Sequence, residues 1–222
     1  MKKLYTINTV NNFMGMIYDP FAKPFEEKHP DLKIYNIMDD SLLEETRIYD
    51  GMTPAIASRM LNYAKAAEAS GASGVLVTCT SVNQATKYIR PLLNIPILNI
   101  EEPVAELAVE NGTRIGILGT LPTSPAAIGR VIREKAREMG KAVALEPVVV
   151  DGAFDVLCSG DVERHDAMVC EALEGLAKRV DVIAFAQISM SLINIPKVDV
   201  PVYMIGQTGF DKILAMMEEG RQ

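Results

Sequence analysis

The sequence predicts an α/β fold made of two similar lobes, each a parallel sheet wrapped by helices. Three observations carry this. Short apolar runs alternate with longer helical patterns almost to the end of the chain, the pattern of the first half returns in the second, and no Ser/Gly-rich linker separates the halves. Alternation of this kind means βα units, because parallel strands need crossover connections. With 222 residues and 49% hydrophobic content, the chain can bury a substantial core.

In chain order, the strand-like runs are 4–8, 32–37, 75–79, 97–100, 114–119, 143–150, 182–186 and 202–205. Helical periodicity fills 54–69, 82–93, 125–139 and 165–179. Helix starts carry their own signals. Ser81 with Gln84 reads as a capping box, so the helix is expected to begin at Ser81 and leave Cys79 at the strand tip. Ser124 before Pro125 reads as an N-cap followed by proline at the first helical position, and Thr208 with Asp211 as the start of the last helix.

The internal repeat is faint. LYTINT (4–9) aligns with IGILGT (115–120), which matches Thr9 to Thr120 at the end of an apolar strand; VLVTCTS from Val75 aligns with VIAFAQIS from Val182, and Pro96 and Pro201 introduce the strands that follow. The expected division is a first lobe over 1–100, a second over 101–205, and a final helix over 206–222 packing back on the first. Tight packing with a cleft between the lobes is the simplest arrangement.

Composition narrows the function classes. A net charge of −7, with charged residues of both signs making up 23% of the chain, argues against nucleic acid or an anionic membrane as partner, since both require clustered Lys and Arg. No apolar run has the length that spans a bilayer, and MKKLYTINTVNN lacks the continuous apolar stretch of about 7 to 15 residues that a secretory signal needs. The expectation is a soluble, cytoplasmic protein. Cys79, Cys158 and Cys170 are widely spaced and form no CxxC pair. With only His29 and His165 besides, neither a disulfide framework nor a zinc centre is expected. No G-x-G-x-x-G follows a predicted strand, which leaves a dinucleotide cofactor without its motif.

Cys79 is the candidate reacting group. In open parallel sheets ligands gather beyond the carboxyl ends of the strands. A thiol there, at a helix start, meets free N–H groups and the positive end of the helix dipole, both of which favour the thiolate. Position alone leaves a second reading open, that of a buried cysteine serving as a small hydrophobe. Thr80 and Ser81 add hydroxyl donors beside Cys79. Asn8, Thr9, Asn11 and Asn12 end the first strand, Thr120, Thr123 and Ser124 end its counterpart, and Gln187 and Ser189 end the last of the four. Such donors suit a carboxylate, or the enolate-like charge that develops when a proton leaves the adjacent carbon. With no Arg or Lys among them, a bound acid would be held by neutral groups. Cys170 falls in a helical pattern and Cys158 in a Gly/Ser-containing loop. His165, with Asp161, Glu163 and Asp166 nearby, has the make-up of a general base, but its place at a helix start after CSGDVER reads as an exposed surface histidine; His29 reads as a turn residue. The pairs Asp39–Asp40, Glu44–Glu45 and Glu101–Glu102 read as solvated faces or helix starts.

The succession of INTVNN, TCTS, LGTLPT and FAQISM resembles the aspartate/glutamate/hydantoin racemase superfamily across nearly the whole chain. MDDSLLEE from Met38, TPAIASRM from Thr53 and the AQ-x-SM segment ending at Met190 look like an uncharacterised branch of it. The resemblance implies two α/β lobes related by pseudo-two-fold symmetry, an active site in the interlobe cleft, no cofactor, and a homodimer or higher homo-oligomer acting on a small carboxylate. It also implies one cysteine on each face of the substrate's α-carbon, one removing the proton and the other returning it. Cys79 matches the first of these, whereas Gln187 stands at the second and has no titratable proton. Three chemistries fit a single thiol: one-base racemisation or isomerisation with another proton donor, decarboxylation as in the arylmalonate decarboxylase relatives, and addition to an activated double bond as in the maleate isomerase relatives. The decarboxylase relatives carry their cysteine on the opposite lobe. A binding protein without catalysis is the alternative from another class.

Overall fold

The structure is a computed structural model that describes residues 1–49 and 51–220. Asp50 and the last two residues of the expected 206–222 helix lie outside the described residues. The chain divides into two compact units, Met1–Ile100 together with the C-terminal segment from Gly206, and Glu101–Ile205.

In the first unit, β1 (Lys2–Asn8) leads through a π-helical segment, Met14–Ala22, into α1 (Lys23–Lys28) and β2 (Leu32–Met38). Next come α2 (Ser41–Ile48), α3 (Pro54–Ala69), β3 (Gly74–Val77), α4 (Asn83–Ile89) and β4 (Ile97–Asn99). The four strands are parallel in the order β2-β1-β3-β4. The start of α3 follows from its sequence: the Thr53 side chain accepts a bond from the Ile56 N–H, and Pro54 occupies the first helical position. A buried stripe of Ile56, Met60, Ala64 and Ala67 then faces the sheet residues Ile7, Val75 and Val77 in one core cluster.

The second unit repeats the plan. It comprises α5 (Glu102–Asn111), β5 (Arg114–Gly119), α6 (Thr123–Glu138), β6 (Ala144–Val149), α7 (Ala153–Cys158), α8 (Val162–Ala177), β7 (Val182–Phe185) and β8 (Val202–Tyr203). Its strands are parallel in the matching order β6-β5-β7-β8. Leu118, Ile183 and Phe185 pack with Val169, Leu173 and Leu176 of α8. Among the described residues, no helix is long and apolar enough to cross a membrane.

The chain then returns to the first unit, where α9 (Gln207–Glu219) packs on β3 and β4. Its entry is tight. Gly206 has φ +133°, and a Cβ there would stand 2.5 Å from Cε1 of Phe21. Gly206→Ala is therefore expected to destabilise the first unit by about 1–3 kcal/mol, through both the backbone conformation and the displaced ring. A thermal melt that matches the wild type would refute this reading.

Three expected helix starts are corrected. α6 begins at Thr123 with Pro122 in the cap position, so Ser124 is not the N-cap. Pro125 is tolerated inside the first turn because its missing N–H is one the helix leaves unpaired anyway. α9 is entered through Gly206, and Gln207 Nε2 donates to Asp211 Oδ1 at 2.9 Å, whereas Thr208 lies within the helix. After Cys79 the residues Thr80–Val82 form a single 3₁₀ turn that runs into α4, with no side-chain cap from Ser81. The helix expected to run to residue 93 ends as α4 at Ile89, since Pro91 cannot continue it, and a 3₁₀ turn over Arg90–Leu92 follows.

The N-terminal ends of β5 and β7 are clamped by Asp181. Its carboxylate accepts bonds from the Arg114 N–H at 2.8 Å, the Thr113 hydroxyl at 2.9 Å and the Thr113 N–H at 3.0 Å. These bonds, the Arg114 N–H first among them, lower its pKa from 3.8 to about 2. A depressed carboxylate pKa contributes stability that is complete above the unfolded value and lost as pH falls through the folded one. Asp181→Asn is expected to lower the melting temperature at neutral pH. The gap to the wild type should close between about pH 4 and pH 2. A gap independent of pH would contradict the assignment.

Candidate active site

Equivalent strands of the two units end in equivalent ways, and these tips hold the candidate residues. In the first unit, Tyr5 pairs with Val75 and Ile7 with Val77, a register that carries Thr9 opposite Cys79 just beyond the ladder. In the second, Ile115 pairs with Val182 and Leu118 with Phe185, which carries Thr120 opposite Gln187. Backbone bonds at the tips repeat too. The Thr78 N–H donates to the Ile7 carbonyl as Ala186 does to Leu118, and Asp39 donates to Asn8 as Val150 does to Gly119. Cys79 and Gln187 thus occupy the same structural position, each in extended backbone and each at the cap of a 3₁₀ turn.

Cys79 lies two residues beyond β3, which ends at Val77 rather than at the cysteine itself. Strand alternation puts its side chain on the same face as Val75 and Val77. The residue borders the core cluster and keeps 9% of its surface exposed. Thr9, 2% exposed, has a hydroxyl with no hydrogen-bond partner among the described residues. A buried hydroxyl without a partner is uncommon and costs stability unless something completes it. Thr80 is half-buried, whereas Ser81 is exposed.

The expected donors of the first tip divide by what already occupies them. Asn8 is 2% exposed; its Nδ2 donates to Thr6 Oγ1 at 3.0 Å and to Asn36 Oδ1, and its Oδ1 accepts from the Thr78 hydroxyl. That network, including Asn36 and Thr78, was not legible as part of the tip. It holds β1, β2 and β3 together and commits the Asn8 amide internally. Asn11 is exposed and donates to Asp40 Oδ2 at 2.9 Å. Asp39 is partly buried rather than solvated. It accepts from Ser41 Oγ at 2.5 Å and Tyr63 Oη at 2.7 Å and faces Arg59 Nη1 at 3.4 Å. Burial pushes its carboxyl up, but the bonds from Ser41 and Tyr63 and the Arg59 charge outweigh burial and hold it below its usual range. The Tyr63 phenol is held above its usual range, first by its bond to Asp39. Arg59 also faces Glu45 Oε2 at 2.9 Å, so its charge is answered by two carboxylates and is not a free anchor for an anion.

At the second tip Gln187 is fixed. The Thr120 N–H and hydroxyl both donate to its Oε1, at 2.7 and 3.0 Å. Because a backbone N–H can only donate, these bonds set the amide's orientation and turn its NH₂ away from Thr120. Thr120 is buried and Ser189 half-buried, while Thr123 is exposed at the start of α6. The unit's remaining titratable groups correct several expectations. His165 is not an exposed histidine. Only 1% of it is accessible, because α8 begins at Val162, capped by the Asp161 side chain, and the extra turn swings His165 onto the core face. Glu101 is fully buried at the start of α5 rather than solvated. Cys158 is exposed at the end of α7. Cys170 is partly buried in α8, and burial, with the charges of Asp166 and Glu174, pushes its thiol up. A shallow hollow of about 440 Å³ lies at the opposite, N-terminal ends of the strands, where Lys141 Nζ already donates to the Val109 and Glu110 carbonyls and Asp181 is clamped.

The two units thus repeat one parallel α/β plan, with a thiol at one strand tip and a pinned amide at the equivalent tip. The family described as Asp/Glu/Hydantoin racemase matches residues 26–212, and the chain belongs to that family. None of the curated proteins searched matches it. Among solved structures, an aspartate racemase homologue from Pyrococcus horikoshii is 19% identical, with 98% of this chain and 100% of that one covered and a TM-score of 0.71. An allantoin racemase from Klebsiella pneumoniae is 14% identical over 99% of this chain and 89% of that one, with a TM-score of 0.64. A mutant arylmalonate decarboxylase in a sulfate-associated form is 13% identical over 99% and 94%, at a TM-score of 0.62. At these identities the structures establish the α/β fold with its two four-stranded parallel sheets.

Proposed function

We propose that the protein is a cofactor-independent racemase or isomerase acting at the α-carbon of a small carboxylate or amino-acid derivative, with Cys79 as base or nucleophile. The observation that carries the reading is the tip shared by β1 and β3. There Cys79 sits in register beside Thr9, whose buried hydroxyl has no protein partner among the described residues. A ligand oxygen would complete that hydroxyl and bring its own α-carbon to the sulfur. Gln187, turned by Thr120 so that its N–H groups are free of that residue, is suited to orient a carboxylate or amide. It does not carry the second proton.

A second reading, decarboxylation of a malonate-like acid, is favoured by one specific observation. Only one of the two equivalent tip positions bears a thiol, and a decarboxylase needs just one proton delivered after CO₂ leaves. One experiment separates the readings. The protein is incubated in D₂O with amino acids, hydantoins and substituted malonates, and products are read by mass. Deuterium entering at the α-carbon of a recovered amino acid or hydantoin supports racemisation or isomerisation, and CO₂ loss from a malonate supports the second reading. Neither outcome on any compound would refute catalysis and leave a binding protein.

A further inference from the structure

Where the two units differ, the difference is patterned. On α3 the core-facing stripe is Ile56, Met60, Ala64 and Ala67; on α8, at the same spacing, it is His165, Val169, Leu173 and Leu176. His165 therefore takes the place that a fully buried isoleucine fills in the other repeat. Packing alone does not call for a histidine there. The unit with isoleucine at this place has the thiol at its tip, and the unit with histidine has glutamine.

The position of His165 along the sheet can be measured out. Leu176 lies against Gly116, where an added Cβ would stand 2.8 Å from Leu176 Cδ2, and Gly116 pairs with Ile183. α8 runs antiparallel to the strands, as a crossover helix must, so its N-terminal end lies toward the strand tips. From Leu176 back to His165 is roughly 16 Å of helix axis. Measured up the sheet, that is about four to five strand residues. The count reaches Thr120–Leu121 on β5 and Gln187–Ile188 on β7. Leu118 and Phe185, which precede Thr120 and Gln187 on the same face by strand alternation, pack against α8.

The ring's own bonds complete the picture. Nδ1 lies 2.8 Å from Asp166 Oδ1, so in the neutral ring Nδ1 carries the proton and Nε2 presents a lone pair. Nε2 is buried and has no hydrogen-bond partner among the described residues.

Building on the function proposed above, we infer that His165 is the proton-carrying group of the second unit, a positioning residue that acts through a bound water beside Thr120 and Gln187. The Nε2 lone pair accepts a proton from that water, which in turn takes one from a ligand group held at the tip of β5 and β7; the reverse transfer returns it, and Nδ1 stays bonded to Asp166 throughout.

The test has two arms on the full chain. With ¹⁵N-labelled histidine, two-bond proton–nitrogen spectra read both ring nitrogens. The expected result is an Nδ1–H tautomer at His165 whose Nε2 resonance moves when Gln187→Ala or Thr120→Val is introduced. An Nε2 resonance indifferent to both substitutions overturns the proposal. In the second arm, His165→Ile, which copies the other repeat, is assayed on compounds that show Cys79-dependent deuterium exchange. The ratio of enantiomer interconversion to exchange is expected to fall about 100-fold. A folded variant with an unchanged ratio overturns the proposal. Should no compound exchange, the function proposed above falls, while the spectroscopic arm still decides the placement of His165.

Discussion

Cys79→Ser is expected to fold and to lose α-proton exchange by a factor on the order of 10³. The argument is geometric. The side chain continues the face of Val75 and Val77, borders the core, and stands in register with Thr9 at a strand tip. Serine fits that space with little change in volume, so the fold should persist with a melting temperature within a few degrees of the wild type. What serine cannot supply is a group that ionises readily enough to take a proton from carbon near neutral pH. Exchange that survives the substitution would remove the thiol from the mechanism. A collapse of the melting temperature would instead identify Cys79 as a packing residue.

The second large effect is a gain. Gln187→Cys places a thiol at the position equivalent to Cys79 and releases Thr120, whose N–H and hydroxyl now hold the amide oxygen at 2.7 and 3.0 Å. Interconversion of enantiomers is expected to rise about 100-fold relative to exchange on the same compound. A folded variant with no change in that ratio would remove position 187 from the proton transfer.

How much of this was legible in the sequence can be followed residue by residue. All eight strands were, because each is a short apolar run followed by a turn or a helical segment, and the register equivalence of Thr9 and Thr120 was already visible in LYTINT and IGILGT. The equivalence of Cys79 and Gln187 was legible for the same reason. Cap signals fared worse at Ser81, Ser124 and Thr208. Each motif spans only four residues, and the chain's entry into the helix, by a 3₁₀ turn, by Pro122 or by Gly206, decided the start instead. His165 was misplaced because the acidic residues ahead of it read as a loop. Once α8 is capped at Asp161, the stripe His165, Val169, Leu173 and Leu176 follows the helical period and carries the histidine inward. The Asn8–Asn36–Thr78 network joins three strands distant in sequence, so no local signal could reveal it. The π-helical stretch Met14–Ala22, with Pro20 inside it, also lacks a sequence signature.

The most direct measurement is site-resolved alkylation by iodoacetamide, with peptide mass spectrometry following Cys79, Cys158 and Cys170 while exchange activity is assayed in parallel. Cys158, being exposed, should label readily with no effect on activity, and Cys170 slowly. Activity should disappear in proportion to the fraction of Cys79 modified, and a carboxylate that undergoes exchange should protect Cys79 alone. Full modification of Cys79 with exchange intact, or a sulfur that labels only when the protein unfolds, would contradict the account.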